Sequence, residues 1–234
     1  MKIMVINPNS SREMTAHLDR VLSQIKGENT ELTVTCPPNG PLAIESSYDE
    51  AMCAPGVLEL VKKANEEKYD AVILACFSDP ALEQAREISD ILVTGIEEIS
   101  LHVAAMLGAK FTVLTMTDKR VPSKVAHVRR FKLEGSLASV RPLGMSVAEI
   151  EADEKRACAQ ILKVAKEAAE QDGAEVIVLG CAGMAGYADI VRSDLGMEVI
   201  DPSSLALKVT EALVSAGLKQ SKRGYYSYPP SMLR

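Results

Sequence analysis

Short apolar runs recur along the chain, and between them the apolar residues come at helical spacing. The runs predict strands at 2–6, 31–35, 71–75, 91–94, 111–115, 138–142, 176–180 and 198–200. Several are continuously apolar, such as VIL at 72–74 and VIVL at 176–179, as strands covered by helices on both faces should be. The intervening segments predict helices at 12–26, 56–68, 80–89, 98–107, 149–171 and 203–216. Ser10 with Glu13 reads as a capping box, and Asp79 before Pro80 as an N-cap and first helical residue. Gly27 and Gly108 sit where helices should stop. Alternation of this kind specifies an α/β fold built mainly on parallel sheet.

The pattern also repeats. The strand ending at Asn7, Pro8 and Asn9 has a counterpart ending at Thr115, Met116 and Thr117, displaced by 108 positions from 7 to 115. The strand ending in Cys76 has a counterpart ending in Cys181, displaced by 105 positions from 76 to 181. Thr94 and Asp201 fall opposite each other at about the same offset. The simplest reading is two similar, pseudo-twofold-related lobes, each a four-stranded parallel sheet flanked by helices; one eight-stranded sheet is the alternative. The first lobe spans 1–98, with 203–234 packing back on it, and the second spans 99–202. Ligands of open parallel sheets bind beyond the carboxyl ends of the strands, which places Asn9, Cys76, Thr117 and Cys181 at functional edges.

Composition narrows the class. A chain of 234 residues, 47% hydrophobic and 25% charged, buries a sizeable core, and its net charge of −6 disfavours nucleic acid or an anionic membrane surface as partner. The start MKIMVINPNS has too short an apolar run for a signal peptide, and no stretch is long enough to span a bilayer, so a cytoplasmic protein is expected. Five widely spaced cysteines without a CxxC pair, and three histidines, suggest neither a disulfide framework nor a metal site. No GxGxxG or phosphate-loop pattern is present. The tail SKRGYYSYPPSMLR reads either as cover for a subunit interface or as a loose terminus.

The candidate chemistry sits at the two repeated cysteines. A thiol at a strand end, before a helix start, meets backbone N–H groups that favour its thiolate. Cys36, Cys53 and Cys158 are read as small buried hydrophobes, whereas Cys76 and Cys181 occupy matching positions in both halves. Two equivalent acid/base groups are what two-base racemisation needs: a thiolate removes a proton from one face of a carbon and a thiol returns one to the other. His17, His102 and His127 fall in helical patterns as surface or packing residues. The Arg129, Arg130, Lys132 run reads as a solvated face, and Glu149 to Glu154 as an exposed helix start.

The segments INPNSS (6–11), GPLAIESSYDEA (40–51), ACFSDPALEQARE (75–87), GIEE (95–98), FTVLTMT (111–117) and LGCAGMAGYAD (179–189) resemble the aspartate/glutamate/hydantoin racemase superfamily, specifically its hydantoin and allantoin racemase branch. The resemblance runs to about residue 216. It implies that Cys76 and Cys181 are the catalytic pair, that neither pyridoxal phosphate nor metal is needed, and that the protein forms a homo-oligomer. It places Asn9 and Thr117 along the substrate cleft, and the backbone at Phe77, Ser78, Ala182 and Gly183 against the carbonyl and imide groups of a cyclic ureide. Ile44 and Phe77 are expected to wall a 5-substituent. The branch more often carries glycine where this chain has Ser78 and Ala81. The amino-acid racemases it resembles more distantly carry GlyCysThrHis at the second cysteine, the histidine and an acidic residue near the first lobe assisting proton transfer; here Gly180 and Cys181 are followed by Ala182 and Gly183, so that assistance is missing. A 5-monosubstituted hydantoin, whose C5 lies beside a neutral carbonyl, is therefore the expected substrate. Allantoin is the nearest alternative, an amino-acid racemase or maleate isomerase a more distant one, and a non-catalytic small-molecule receptor the alternative from another class.

Overall fold

The computed structural model describes residues 1–232, the side chain of Glu151 excepted. In chain order the elements are β1 (Lys2–Ile6), α1 (Arg12–Ile25), β2 (Glu31–Thr35), α2 (Ser47–Glu66), β3 (Ala71–Leu74), α3 (Leu82–Ile88) and β4 (Leu92–Gly95). They continue as α4 (Ile96–Leu107), β5 (Phe111–Thr115), α5 (Val121–Arg130), β6 (Leu137–Pro142), α6 (Val147–Ala152), α7 (Glu154–Asp172), β7 (Val176–Leu179), α8 (Ala188–Leu195), β8 (Glu198–Ile200) and α9 (Pro202–Ser215). The strands form two four-stranded sheets, ordered β2-β1-β3-β4 and β6-β5-β7-β8, with every pairing parallel. The two orders have the same form, so the repeat read from the sequence is a repeat of topology. The chain divides into two compact units, Met1–Ile96 with the segment from Ala206, and Glu97–Leu205.

In the first unit, β1 and β3 are buried almost throughout because helices cover them. Helix α1 turns Met14, Thr15, Leu18 and Leu22 inward, a helical stripe against the sheet. Cys53, Val57, Val61 and Ala64 of α2 pack with Met4, Ile6, Val72, Leu74, Leu82 and Ala85 in one cluster. Each fully buried Leu, Ile or Val contributes about 1.5–3 kcal/mol by leaving water. In the second unit Ala157, Ile161, Val164, Ala165 and Ala168 of α7 play the same part against Leu114, Ile177 and Leu179.

Several boundaries differ from expectation for local reasons. Helix α2 begins at Ser47, capped by Ser46, and runs through Pro55, where the sequence suggested a start only at 56. Gly56 is what fits there: a Cβ on it would stand 2.7 Å from the Pro37 ring. The cap of α1 is Ser11, whose hydroxyl accepts from Met14 N, while Ser10 donates to Gly40 O at 3.0 Å and ties down the loop after β2. The segment 149–171 is two helices, because Asp153 leaves helical geometry to cap α7. The sequence pattern predicts no helix limits for α5 or α8.

The tail is ordered against the first unit. Gln220 pairs with both backbone groups of Val93, accepting from its N–H and donating to its carbonyl, each at 2.8 Å, as a neighbouring strand would. Arg86 adds a bond to Val93 O at 3.1 Å and another to Tyr226, and Tyr228 donates to Asp90. The open edge of β4 is thereby capped, a device against edge-to-edge pairing. Leu233 and Arg234 of that tail lie outside the described residues. Among the described residues no helix is long and apolar enough to cross a membrane.

Candidate functional site

Parallel pairing brings the chemistry-bearing residues of each unit to one sheet edge. In the first unit Ile6 lies beside Leu74, so the segments after β1 and β3, carrying Asn9 and Cys76, leave the same edge. In the second, Leu114 lies beside Leu179, and Thr117 and Cys181 follow in the same way.

Cys76 is partly exposed and follows the buried Ala75. Its carbonyl accepts from Ser78 N at 2.8 Å and Asp79 N at 2.9 Å, which folds the chain back on itself. That fold brings Ser78 Oγ to 3.5 Å from the Cys76 sulfur. Asp79 (φ 44°) and Ala81 (φ 62°) both occupy the left-handed region, so the helix expected from Pro80 begins only at Leu82. Ala81 thus takes a backbone conformation that favours glycine. The Asp79 side chain lies directly on Gly95, where any Cβ would overlap its carboxylate. This contact anchors the cysteine loop to the end of β4.

Cys181 is held differently. Gly180 presses against β5: its N–H donates to Leu114 O at 2.7 Å, and a Cβ there would collide with that carbonyl. The next residue, Cys181, is extended (φ −156°), and its sulfur accepts from Gly183 N at 3.4 Å. A single 3-10 turn, Ala182–Met184, follows rather than a long helix. Its far end is secured by Asp201, which accepts from Gly186 N at 3.0 Å while capping α9 through Ser203 N and Ser204 N. Asp201 stood out in the sequence only as the counterpart of Thr94; its capping of the loop was not legible there.

The other expected residues fall as follows. Asn9 is buried, its Oδ1 accepting from Asn7 and from Ser11 N and its Nδ2 donating to Met14 Sδ, so it shapes the start of α1. Thr117 precedes a 3-10 turn without capping it. Phe77 is only 4% exposed, and Ile44 packs against the core cluster of the first unit, so little of either side chain is open as a wall. Ala182 and Gly183 are buried in the loop that carries Cys181. Among the remaining cysteines, burial and the neighbouring Glu50 charge push the Cys53 thiol up to about 12, and burial and acidic neighbours also raise Cys158. Neither suits proton transfer near neutral pH.

A family model described as Asp/Glu/hydantoin racemase matches residues 3–210. The chain belongs to the Asp/Glu/hydantoin racemase family. Within it, the chain is 38% identical to a hydantoin racemase of Pseudomonas sp. (strain NS671), covering 98% of this chain and 92% of the relative. It is 36% identical to a hydantoin racemase of Paenarthrobacter aurescens, covering 98% of each chain. The solved allantoin racemase from Klebsiella pneumoniae superposes with a TM-score of 0.95 at 33% identity, covering 98% of this chain and 94% of that one. As in other members of a racemase family, the chemistry asked of the site is an isomerisation.

One cluster went unread in the sequence. Glu97, 2% exposed at the start of α4, binds Lys124 Nζ at 2.9 Å and His127 Nδ1 at 2.6 Å. Burial raises the Glu97 pKa, but the Lys124 charge and the His127 hydrogen bond together outweigh it and hold the carboxyl below its ordinary range. His127, expected as a surface or packing residue, is a partner in this cluster. Glu97 is the first glutamate of the GIEE segment, which entered the sequence analysis only as part of the family resemblance.

Proposed function

We propose that the protein racemises 5-monosubstituted hydantoins by two-base proton transfer at C5, with Cys76 and Cys181 addressing opposite faces of the ring. One observation carries the reading: a strand-end cysteine recurs at the equivalent edge of both sheets, in a chain similar over nearly its full length to hydantoin racemases. The step balances with thiols alone. A thiolate takes the C5 proton, the C–H electron pair moves into the adjacent carbonyl as an enolate, and the opposite thiol protonates C5 from the other face. The two sulfurs have then exchanged roles, and the reverse reaction restores them.

The barrier is set by the acidity of C5 and by the developing negative oxygen. C5 of a hydantoin lies beside a neutral carbonyl, unlike the Cα of a free amino acid beside a carboxylate, so a thiolate suffices as base. Backbone N–H groups of Phe77 and Ala182 stabilise the enolate oxygen in this reading, each well-placed donor contributing about 3–4 kcal/mol, while those of Ser78 and Gly183 are engaged by the Cys76 carbonyl and the Cys181 sulfur. Asn9 and Thr117 border the ring, and the exposed portions of Ile44 and Phe77 meet the 5-substituent. The protein acts in the cytoplasm as a homo-oligomer.

Likeness to the Klebsiella pneumoniae allantoin racemase supports allantoin, itself a 5-substituted hydantoin, as a second substrate. Polarimetry on single enantiomers of 5-benzylhydantoin, 5-methylhydantoin and allantoin tests both. Loss of rotation with the first two, above the uncatalysed rate, supports the principal reading; loss with allantoin alone favours the second; retention with all three overturns the reading.

A further inference from the structure

The Cys76 loop is built from parts that are weak on their own. Asp79 and Ala81 sit in the left-handed region, where a Cβ crowds the following carbonyl, and such residues persist only where their surroundings hold them. The helix that follows, α3, has 7 residues, too few to keep its shape in isolation. Its start is fixed by Asp79, wedged over Gly95.

Its far end is gripped by the tail. Lys222 Nζ donates to Arg86 O at 2.7 Å and to Glu87 O at 2.9 Å, carbonyls of the last turn of α3, where a cation also meets the negative end of the helix. A third bond, to Tyr226 O at 3.2 Å, joins Lys222 to the part of the tail that returns after a turn at Gly224, and its ammonium stands 4.3 Å from the centre of the Tyr228 ring. Lys219 Nζ donates to Asp90 O at 3.2 Å, in the connection between α3 and β4. Gln220, Lys222, Tyr226 and Tyr228 are partly buried, and the residues on either side of Gln220, Lys222 and Tyr226 are exposed, the alternation of an extended segment laid on a surface.

We propose that the tail is a strap that keeps the Cys76 loop in its working geometry, and that Lys222 is a positioning residue acting through α3. With the Asp79–Gly95 contact at one end and Lys222 at the other, the short helix is a rigid link. Release of Lys222 frees the far end, and the two left-handed residues relax toward ordinary geometry and carry the Cys76 sulfur with them. The proposal rests on the racemase reading only for its consequence in turnover, a lower kcat.

Hydrogen–deuterium exchange of the full chain, read by peptide mass spectrometry, tests this without substrate. The amides of Ser78, Asp79, Leu82 and Ala85 are hydrogen-bonded within the loop and α3, so their exchange reports its opening. Lys222→Met keeps the aliphatic stem and removes the ammonium; exchange over 76–88 should rise by ~10- to 100-fold, the equivalent of losing hydrogen bonds from a charged donor, while 2–25 and 176–195 stay as they were. Lys222→Arg, which keeps a cation able to donate to the same carbonyls, should restore most of the protection. On 5-benzylhydantoin Lys222→Met should lower kcat by ~10-fold and leave KM within about twofold. Exchange over 76–88 that stays at the wild-type level, that rises equally over 2–25, or that Lys222→Arg fails to restore overturns the strap, and a wild-type kcat despite faster exchange overturns the part of Lys222 in turnover. If the wild-type chain racemises no hydantoin, the functional reading falls instead, and the exchange profiles still decide what the tail holds.

Discussion

Replacing Gly180 by alanine should damage stability and turnover together, because that glycine seats the Cys181 segment against β5. The added Cβ would meet the Leu114 carbonyl oxygen well inside van der Waals contact, with Val113 Cγ1 at 2.9 Å and the Leu114 carbonyl carbon at 3.2 Å. Two of these atoms are backbone in the middle of a sheet and cannot swing aside, so the end of β7 must retreat by about 1 Å. Overpacking of this kind costs about 1–3 kcal/mol. Weakening the 2.7 Å bond from Gly180 N to Leu114 O adds about 1 kcal/mol. Stiffening the unfolded chain offsets about 0.4–1 kcal/mol. A net loss of about 2 kcal/mol moves a urea midpoint down by about 1 M at a slope of ~2 kcal/mol/M. The same displacement carries the adjacent sulfur off its line to the substrate, and misplacement by about 1 Å costs a reaction ~100-fold. Urea titration followed by circular dichroism, with initial racemisation rates on the folded variant, measures both. A Gly180→Ala protein with an unchanged midpoint and full turnover would refute the packing argument.

Cys76→Ser and Cys181→Ser should each reduce racemisation by at least ~1,000-fold while leaving the far-ultraviolet spectrum intact, since a serine hydroxyl is too weak a base and acid for either role; full turnover in either variant excludes the thiol pair. Glu97 is held below its ordinary value of 4.5, so it contributes stability that is complete above that value and is lost as pH falls through the lower folded value. Glu97→Gln should flatten the acid limb of stability below pH 4.5 and cost about 3–5 kcal/mol near neutrality, because Lys124, 3% exposed, loses its anionic partner; urea midpoints against pH check both. Gln220→Ala should uncap the Val93 N–H while Arg86 still holds the carbonyl, lower stability by about 1–3 kcal/mol and promote self-association along β4, measured by denaturation and light scattering.

The fold was legible because burial leaves its mark on sequence: apolar runs such as AVIL at β3 and VIVL at β7 can hardly be anything but strands covered on both sides. The repeat made the position of the cysteines legible too, since one offset carried both the strand and the residue after it. What remained unreadable depends on contacts distant in sequence. The helix expected from 56 begins instead at Ser47, and Pro37 occupies the space above Gly56. Asp79 looked like a helix cap, yet it lies in the left-handed region and packs on Gly95, which shifts the start of α3 to Leu82. The tail gave no periodicity, because Gln220 caps a strand with one side chain rather than with a strand of its own. The cluster of Glu97, Lys124 and His127 joins α4 to α5, and charged residues at such spacing read as solvated faces until the fold buries them.

Solvent labelling during the first few per cent of conversion addresses the proposed two-thiol mechanism most directly. One enantiomer of a 5-monosubstituted hydantoin, turned over in D2O and corrected for uncatalysed exchange, should yield the opposite enantiomer with deuterium at C5 while the recovered substrate stays unlabelled, because one sulfur takes the proton and the other supplies solvent deuterium. Product that retains the original proton, or substrate that gains deuterium as fast as product forms, would mean a single base serving both faces and would contradict the account.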